Sequence, residues 1–142
     1  MNLEKLEKEN RILEEARGWL GTTWRAGQST KGVSCDCVGL VCGVGRNLGL
    51  DAKPENYSQI PQGDSLIDEV GKFADQIPID EALPGDILVF RLFSNGNPQH
   101  IGFKSTDGKF IHADARSRIR AVVEVPIGYW QDKIVAAFRI PI

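Results

Sequence analysis

Apolar residues follow a helical period near the N-terminus and a strand period after Pro84. From Asn2 to Leu20 they form a stripe, while Glu and Lys occupy the other faces, which predicts an amphipathic helix. The stripe consists of five residues, Leu3, Leu6, Leu13, Trp19 and Leu20. Residues 1–20 are therefore predicted to form a helix docked on the rest of the chain, and an oligomer contact is the alternative.

A loop and a second helix are predicted for residues 21–48. The stretch "GTTWRAGQSTKGVS" is rich in Gly, Ser and Thr, which is typical of a loop. The helix begins near Asp36 or Cys37 and runs to Leu48, with Gly49 as its C-terminal stop. After a connecting loop, "PENYSQIPQG", the run "DSLIDEVGKFADQI" has helical spacing, and Asp64 or Ser65 can cap it.

Strands are predicted for residues 84–142. The runs "DILVFRLF", "HIGFKS", "KFIHAD", "IRAVVEV" and "KIVAAFRI" are rich in branched and aromatic residues, with turn-forming residues between them. Helices first and strands second predict an α+β fold, with the helices on one face of an antiparallel sheet of about five strands. No repeat or composition change marks a second domain, so 1–142 is predicted to be one domain.

Composition and charge exclude several classes of function. The chain has 142 residues, 42% of them apolar, and a net charge of −2 from 17 basic and 19 acidic residues. This balance offers no basic field for nucleic acid, and no segment is apolar enough to insert into a membrane. The N-terminal "MNLEKLEKENRILEE" is charged throughout and lacks a signal-peptide core, which predicts synthesis in the cytoplasm without standard export.

Three cysteines lie within "SCDCVGLVCGV", and three kinds of site could explain them. A zinc site is disfavoured because the C-x-C-x4-C spacing lacks paired knuckles and His100 and His112 are distant in the sequence. An odd number of thiols without a signal peptide argues against a disulfide scaffold. Cys35 and Cys42 are predicted to be small buried residues. No metal or other cofactor is therefore predicted.

Cys37 differs from the other two because it is predicted to lie in the first turn of a helix. Unpaired backbone N–H groups and the positive end of the helix dipole favour a thiolate there. The pKa of Cys37 is therefore predicted to be lowered, and the same N–H groups could hold an oxyanion.

The histidines, His100 and His112, lie on adjacent predicted strands in "PQHIGFKSTDGKFIHAD". A two-residue hairpin loop would place the two imidazoles on opposite faces of the sheet. A three-residue loop would pair Ser105 with Lys109, so that Gly102 faces His112 and His100 shares its face. In that register one imidazole could meet a thiolate while the other orients it.

Three segments in order, "GTTWRAGQSTKGVSCDCVGLV", "LPGDILVFR" and "HIGFKSTDGKFIHAD", resemble the NlpC family of papain-like cysteine peptidases. The resemblance covers roughly Gly21 to Asp114 and implies a small papain-like α+β fold. It also implies hydrolysis of peptide bonds in bacterial peptidoglycan, commonly beside D-glutamate and a diamino acid. Carried onto this chain, it makes Cys37 the nucleophile, His100 its base and His112 the residue that orients the base.

The resemblance also implies roles near the oxyanion and the substrate for Trp24, Asp36 and Val38. Asp36 matches the Asp that precedes the nucleophile in the family. Trp24 stands where the family often has Tyr, and its indole N–H can donate but not accept a proton. Val38 stands where Ser is frequent. These two departures leave the Cys-His-His set intact and bear on substrate preference.

The chain also looks like the stand-alone versions found in phage tails and phage-like particles. This resemblance predicts a peptidoglycan stem peptide as substrate, phage-tail proteins as partners and a particle-associated location. The rival functions are an assembly protein that keeps the fold without turnover, and an amidase or acyltransferase acting on another substrate. A redox role for Cys35 and Cys37 is disfavoured because C-x-x-C spacing is absent.

Overall fold

The computed structural model describes residues 2–52, 65–93, 96–116 and 118–142. Helix α1 spans Leu3–Arg17, α2 spans Cys37–Asn47 and α3 spans Ser65–Val70. The predicted loop "PENYSQIPQG" and the cap Asp64 lie outside the described residues. The helical prediction for 64–77 was too long, because the chain turns after Val70 and residues 75–77 form a strand.

Within the described residues, nine strands form one mixed sheet in the order β2-β3-β1-β8-β7-β6-β5-β9-β4. Their bounds are β1 Thr23–Trp24, β2 Ser29–Thr30, β3 Ser34–Cys35, β4 Asp75–Ile77, β5 Ile87–Phe90, β6 His100–Lys104, β7 Lys109–Asp114, β8 Ala121–Pro126 and β9 Ile134–Arg139. The five predicted strands are β5 to β9, and they are neighbours through antiparallel pairs. The α+β prediction is thus confirmed.

The predicted sheet had too few strands, and it was predicted to be purely antiparallel. The segment predicted as a loop forms three short strands, and β1 pairs with β3 in parallel. β4 extends the opposite edge by pairing antiparallel with β9. Strands of two or three residues carry too little alternation to be recognised in a sequence.

Helix α1 docks through a narrower stripe than predicted. Its buried residues are Ile12, Leu13 and Ala16, followed by Trp19 just beyond the helix end. Leu3, at 69% exposure, lies outside this contact. Leu6 and Leu20 are also exposed, so the predicted stripe was correct only at Leu13 and Trp19. No helix in the described ranges is long and apolar enough to cross a membrane.

The two faces of the sheet carry separate apolar clusters because side chains alternate along each strand. One cluster joins α1, α2 and α3 to the sheet through residues such as Leu13, Leu40 and Ile101. The other lies on the opposite face around Phe90 and Phe110, with Trp130 packed against it. The predicted placement of the helices on one face is confirmed.

The start of α2 is held by a close contact with the preceding loop. Asp36 caps the helix: its Oδ1 accepts from the Gly39 N–H at 2.7 Å, and its Oδ2 accepts from the Gly27 N–H at 2.7 Å. The Ser29 hydroxyl donates to the Gly39 carbonyl at 2.6 Å. A Cβ at Gly39 would lie 1.9 Å from the Gln28 carbonyl oxygen, so only glycine permits this approach. At the other end, Gly49 stops the helix with φ +93°, as predicted.

The register of β6 against β7 is that of the predicted three-residue loop. Phe103 pairs with Ile111. Gly102 therefore faces His112, and a Cβ at Gly102 would lie 3.0 Å from the His112 Cβ. Because His100 lies two residues from Gly102 on the same strand, both imidazoles share one face of the sheet.

The turn that sets this register combines a tight turn with one extra residue. The Ser105 N–H donates to the Lys109 carbonyl at 2.9 Å, and the Lys109 N–H donates to the Thr106 carbonyl at 3.1 Å. Asp107 and Gly108 have positive φ angles of 58° and 70°. This is the backbone of a type I′ turn, and Thr106 is the extra residue of a β-bulge that shifts the register.

We expect Gly39→Ala to lower the free energy of unfolding by about 1–3 kcal/mol, because the new methyl group meets backbone that must move. Gly45→Ala is the matched control, since its Cβ would meet side chains rather than backbone, with Ala52 Cβ at 3.3 Å and Leu50 Cδ1 at 3.6 Å. Alanine favours a helix, so the control should lose little or gain stability. Urea unfolding followed by tryptophan fluorescence measures the stability of both variants. Equal unfolding midpoints for Gly39→Ala and Gly45→Ala would contradict the close contact at Gly39.

Candidate active site

The three cysteines all lie in described parts of the chain, are not joined by disulfides and have different surroundings. Cys35 in β3 is 0% exposed and Cys42 in α2 is 3% exposed, which confirms that both are buried. Burial raises the pKa of Cys35 to about 12, with smaller contributions from Asp36 and Cys37. Cys37, the first residue of α2, alone keeps part of its surface exposed.

The Cys37 sulfur lies against backbone N–H groups from two elements. The N–H groups of Cys37 and Val38 at the start of α2, together with that of Ile101 in β6, stabilise its thiolate. Burial of the sulfur and then the charge of Asp36 act more strongly in the opposite direction, and the pKa of Cys37 is raised to about 12. The predicted lowering of this pKa was therefore wrong. Desolvation outweighs the helix terminus at this position.

The two histidines form a direct hydrogen bond. His100 Nε2 lies 2.8 Å from His112 Nδ1, and the rings meet edge to face. His100 directly precedes Ile101, whose N–H reaches the Cys37 sulfur. Since His100 uses Nε2 for His112, its Nδ1 is the nitrogen left for a thiol. The structure thus brings together the pair that the hairpin register predicted.

Aromatic side chains enclose this pair. Phe110 stacks on His112 with ring centroids 4.1 Å apart, and Trp130 lies 5.0 Å from His100 and 5.3 Å from His112. Phe90 contacts His100 at 5.8 Å. Burial, reinforced by the His112 charge, lowers the pKa of His100 to about 3, and burial lowers that of His112 to about 4. Both imidazoles are therefore neutral at pH 7.

An acidic residue beyond His112 was missed at the sequence level. The Oδ2 of Asp114 lies 4.0 Å from His112 Nε2, and the side chain is 2% exposed. Arg116 binds this carboxylate, with its Nη2 2.6 Å from Oδ2. The signal was present in "HAD", because residues two apart on a strand share a face. No comparable signal pointed to Trp130, which comes from the 3₁₀ segment Gly128–Lys133.

The three residues predicted near the oxyanion or the substrate take different positions. Val38 is 7% exposed, and its N–H is hydrogen-bonded to the Cys37 sulfur. Asp36 is 6% exposed, and its carboxylate binds the two backbone N–H groups described above. Trp24 is half-buried, and the Arg120 guanidinium lies 5.1 Å from its ring. Their predicted contacts with substrate stay predictions.

The part of the chain that the structure describes contains no group of three or more His, Cys, Asp or Glu side chains arranged to hold a metal ion. The described site is instead a thiol, two neutral imidazoles and a buried carboxylate. Such a set can transfer protons and supply a sulfur nucleophile.

Comparison with known proteins identifies the family of this fold and site. The NlpC/P60 family pattern matches residues 21–139. The chain is 33% identical over 130 residues to "Probable endopeptidase NlpC" from Escherichia coli K12, covering 89% of this chain and 75% of that protein. It is 27% identical over 139 residues to "Murein DD-endopeptidase MepS/Murein LD-carboxypeptidase" from the same organism, covering 97% of this chain and 66% of that protein.

A solved structure gives the same answer for the fold. The NlpC/P60 domain of the peptidoglycan hydrolase SagA superposes with a TM-score of 0.68 at 20% identity. The superposition covers 93% of this chain and 98% of that one. The family pattern extends from the loop before Cys37 to the last strand, and the chain belongs to the NlpC/P60 family.

Proposed function

We propose that this protein is a cysteine endopeptidase that hydrolyses amide bonds in peptidoglycan stem peptides. The observation that carries the proposal is the hydrogen-bonded pair of His100 and His112, together with the Ile101 N–H, next along the strand from His100, which binds the sulfur of Cys37. Membership of a family whose named relatives include murein endopeptidases supports the choice of substrate.

In the proposed reaction, Cys37 attacks the carbonyl carbon of the scissile amide. Its thiol proton passes to His100, a sulfur–carbon bond forms, and backbone N–H groups at the start of α2 receive the oxyanion. His100 then gives the proton to the leaving amine as the carbon–nitrogen bond breaks. The product of this half-reaction is a thioester on Cys37.

The second half-reaction returns the thiol. His100 takes a proton from water, whose oxygen attacks the thioester carbon, and the sulfur leaves and is reprotonated. The hydrogen bond between His112 and His100 keeps the His100 ring oriented throughout. Because thiol and imidazole are neutral in the free protein, the first proton transfer accompanies substrate attack.

The bond cleaved can be read directly from defined wall fragments. We expect wild type to convert a crosslinked muropeptide dimer to monomers if it acts as a DD-endopeptidase. Release of a terminal residue from a tetrapeptide monomer would indicate LD-carboxypeptidase action. Cleavage to a dipeptide product would place the bond beside D-glutamate. Chromatography with mass spectrometry distinguishes these three products.

Substitutions at the site should abolish or strongly reduce this cleavage. Cys37→Ala should remove activity, and His100→Ala should lower kcat/KM by about 10²–10⁴-fold, the usual contribution of general acid–base catalysis. Cys42→Ala is the thiol control, because Cys42 lies in the core and should leave turnover largely intact. Activity that survives Cys37→Ala would refute the proposal. So would a wild type that processes lipid-like amides but no wall fragment.

The pH dependence of thiol alkylation tests the neutral pair. With a raised pKa, the rate at Cys37 should climb about tenfold per pH unit between about pH 7 and pH 9, because the thiolate fraction grows at that rate. The measurement uses iodoacetamide on a Cys35→Ala background, with site-resolved mass spectrometry. His100→Ala should keep this slope. A plateau near neutral pH that disappears in His100→Ala would instead indicate a preformed thiolate–imidazolium pair.

Delivery by a phage tail or phage-like particle also belongs to the proposal. It is supported by the likeness of the "CDCVGLVCGV" run to that subgroup. It stays a prediction, together with the phage-tail partners and the particle-associated location.

A further inference from the structure

One nitrogen of the histidine pair is buried and meets no hydrogen-bond partner within the described part of the chain. His112 is 0% exposed, and its Nδ1 is occupied by His100. Its Nε2 has no hydrogen-bond partner among the residues that the structure describes. The Asp114 carboxylate faces this nitrogen from 4.0 Å. A buried polar atom without a partner requires an explanation.

Asp114 carries a fixed negative charge next to this nitrogen. Burial alone would raise the pKa of Asp114. The hydrogen bonds from Arg116 have a larger effect in the opposite direction, so the pKa is lowered overall. The Arg116 Nε lies 3.0 Å from both carboxylate oxygens, and the Arg116 backbone N–H donates to Oδ1 at 2.9 Å. The guanidinium also packs over Trp130 at 5.8 Å. These contacts hold the carboxylate in place while leaving His112 Nε2 in its field.

A neutral imidazole carries one proton, so the charge of Asp114 decides between two arrangements of the pair. With the proton of His112 on Nε2, a positive N–H points toward the carboxylate, and Nδ1 is a lone pair that accepts from His100 Nε2–H. His100 Nδ1 then also carries a lone pair. In the reverse arrangement a lone pair of His112 faces the carboxylate, and His100 Nδ1 carries a proton.

We propose that Asp114 is a positioning residue that fixes the tautomers of both histidines, so that His100 Nδ1 is the free proton acceptor. The carboxylate disfavours the reverse arrangement by placing negative charge opposite a lone pair. This inference rests on the proposed function only in naming Nδ1 as the base. The tautomers themselves are a property of the free protein.

Nitrogen-15 NMR of protein labelled with ring-nitrogen-15 histidine tests this directly, because the chain contains 2 histidines and the spectrum then shows only their ring nitrogens. At pH 7 we expect both Nε2 atoms to be protonated and both Nδ1 atoms to be unprotonated. Asp114→Asn removes the charge and should give His100 a detectable population of Nδ1–H. It should also lower kcat with little change in KM, on the order of 10- to 100-fold if the effect is as large as that of removing the carboxylate behind a metal-binding histidine.

Asp86→Asn is the matched control. Asp86 is 3% exposed and binds Arg139 with distances of 3.1 and 2.8 Å, so it represents a buried Asp–Arg pair elsewhere in the sheet. It should reproduce any loss of stability but leave the ring nitrogens unchanged.

The proposal is overturned if wild type shows Nδ1–H on either histidine, or if Asp114→Asn leaves the tautomers unchanged. The wild-type spectrum decides the first point even if the variant fails to fold. Since no substrate is needed, expected tautomers in a protein inactive on wall fragments would refute the proposed function and leave this inference standing.

Discussion

The register of β6 against β7 is the constraint on which the site depends. A single residue of slip would move one imidazole to the opposite face of the sheet and break the 2.8 Å contact between His100 and His112. The turn at Asp107 and Gly108 sets this register, and Gly102 leaves room for His112 opposite it. The same strand presents the Ile101 N–H to Cys37, so β6 connects both halves of the site.

Burial affects the pKa values of Cys37 and His100 more strongly than the backbone N–H donors do. The start of α2 offers Cys37 the groups that stabilise a thiolate, and Ile101 adds another. Desolvation nevertheless keeps the thiol protonated, and the aromatic rings around His100 keep that imidazole neutral. The free protein therefore contains neither the Cys37 thiolate nor the His100 imidazolium. The free energy needed to form these charges is required only in the step in which substrate binds and reacts.

Patterns that extend over many residues could be predicted from the sequence. The strands β5 to β9, the start of α2 and the pairing of the histidines each depend on local spacing, which the sequence carries. The strands β1 to β4 could not be predicted, since two or three residues show no period. The side chains that contact the two histidines were less predictable than the helices and strands. Asp114 lies two residues after His112 on the same strand, so its position near His112 can be read from the sequence. Trp130 is distant from His112 in the sequence and contacts it only in the folded structure.

The neutral imidazoles also tie the folded state to acidity. Free histidine titrates near a pKa of about 6.5, whereas His100 and His112 in the fold titrate near 3 and 4. Unfolding therefore takes up protons once the pH falls below about 6.5, and the folded state loses stability steadily from there toward pH 4. Above that range both imidazoles are neutral in the folded and in the unfolded state, so they no longer make stability depend on pH. The enclosure that readies the pair for chemistry at neutral pH thus makes the protein sensitive to acid.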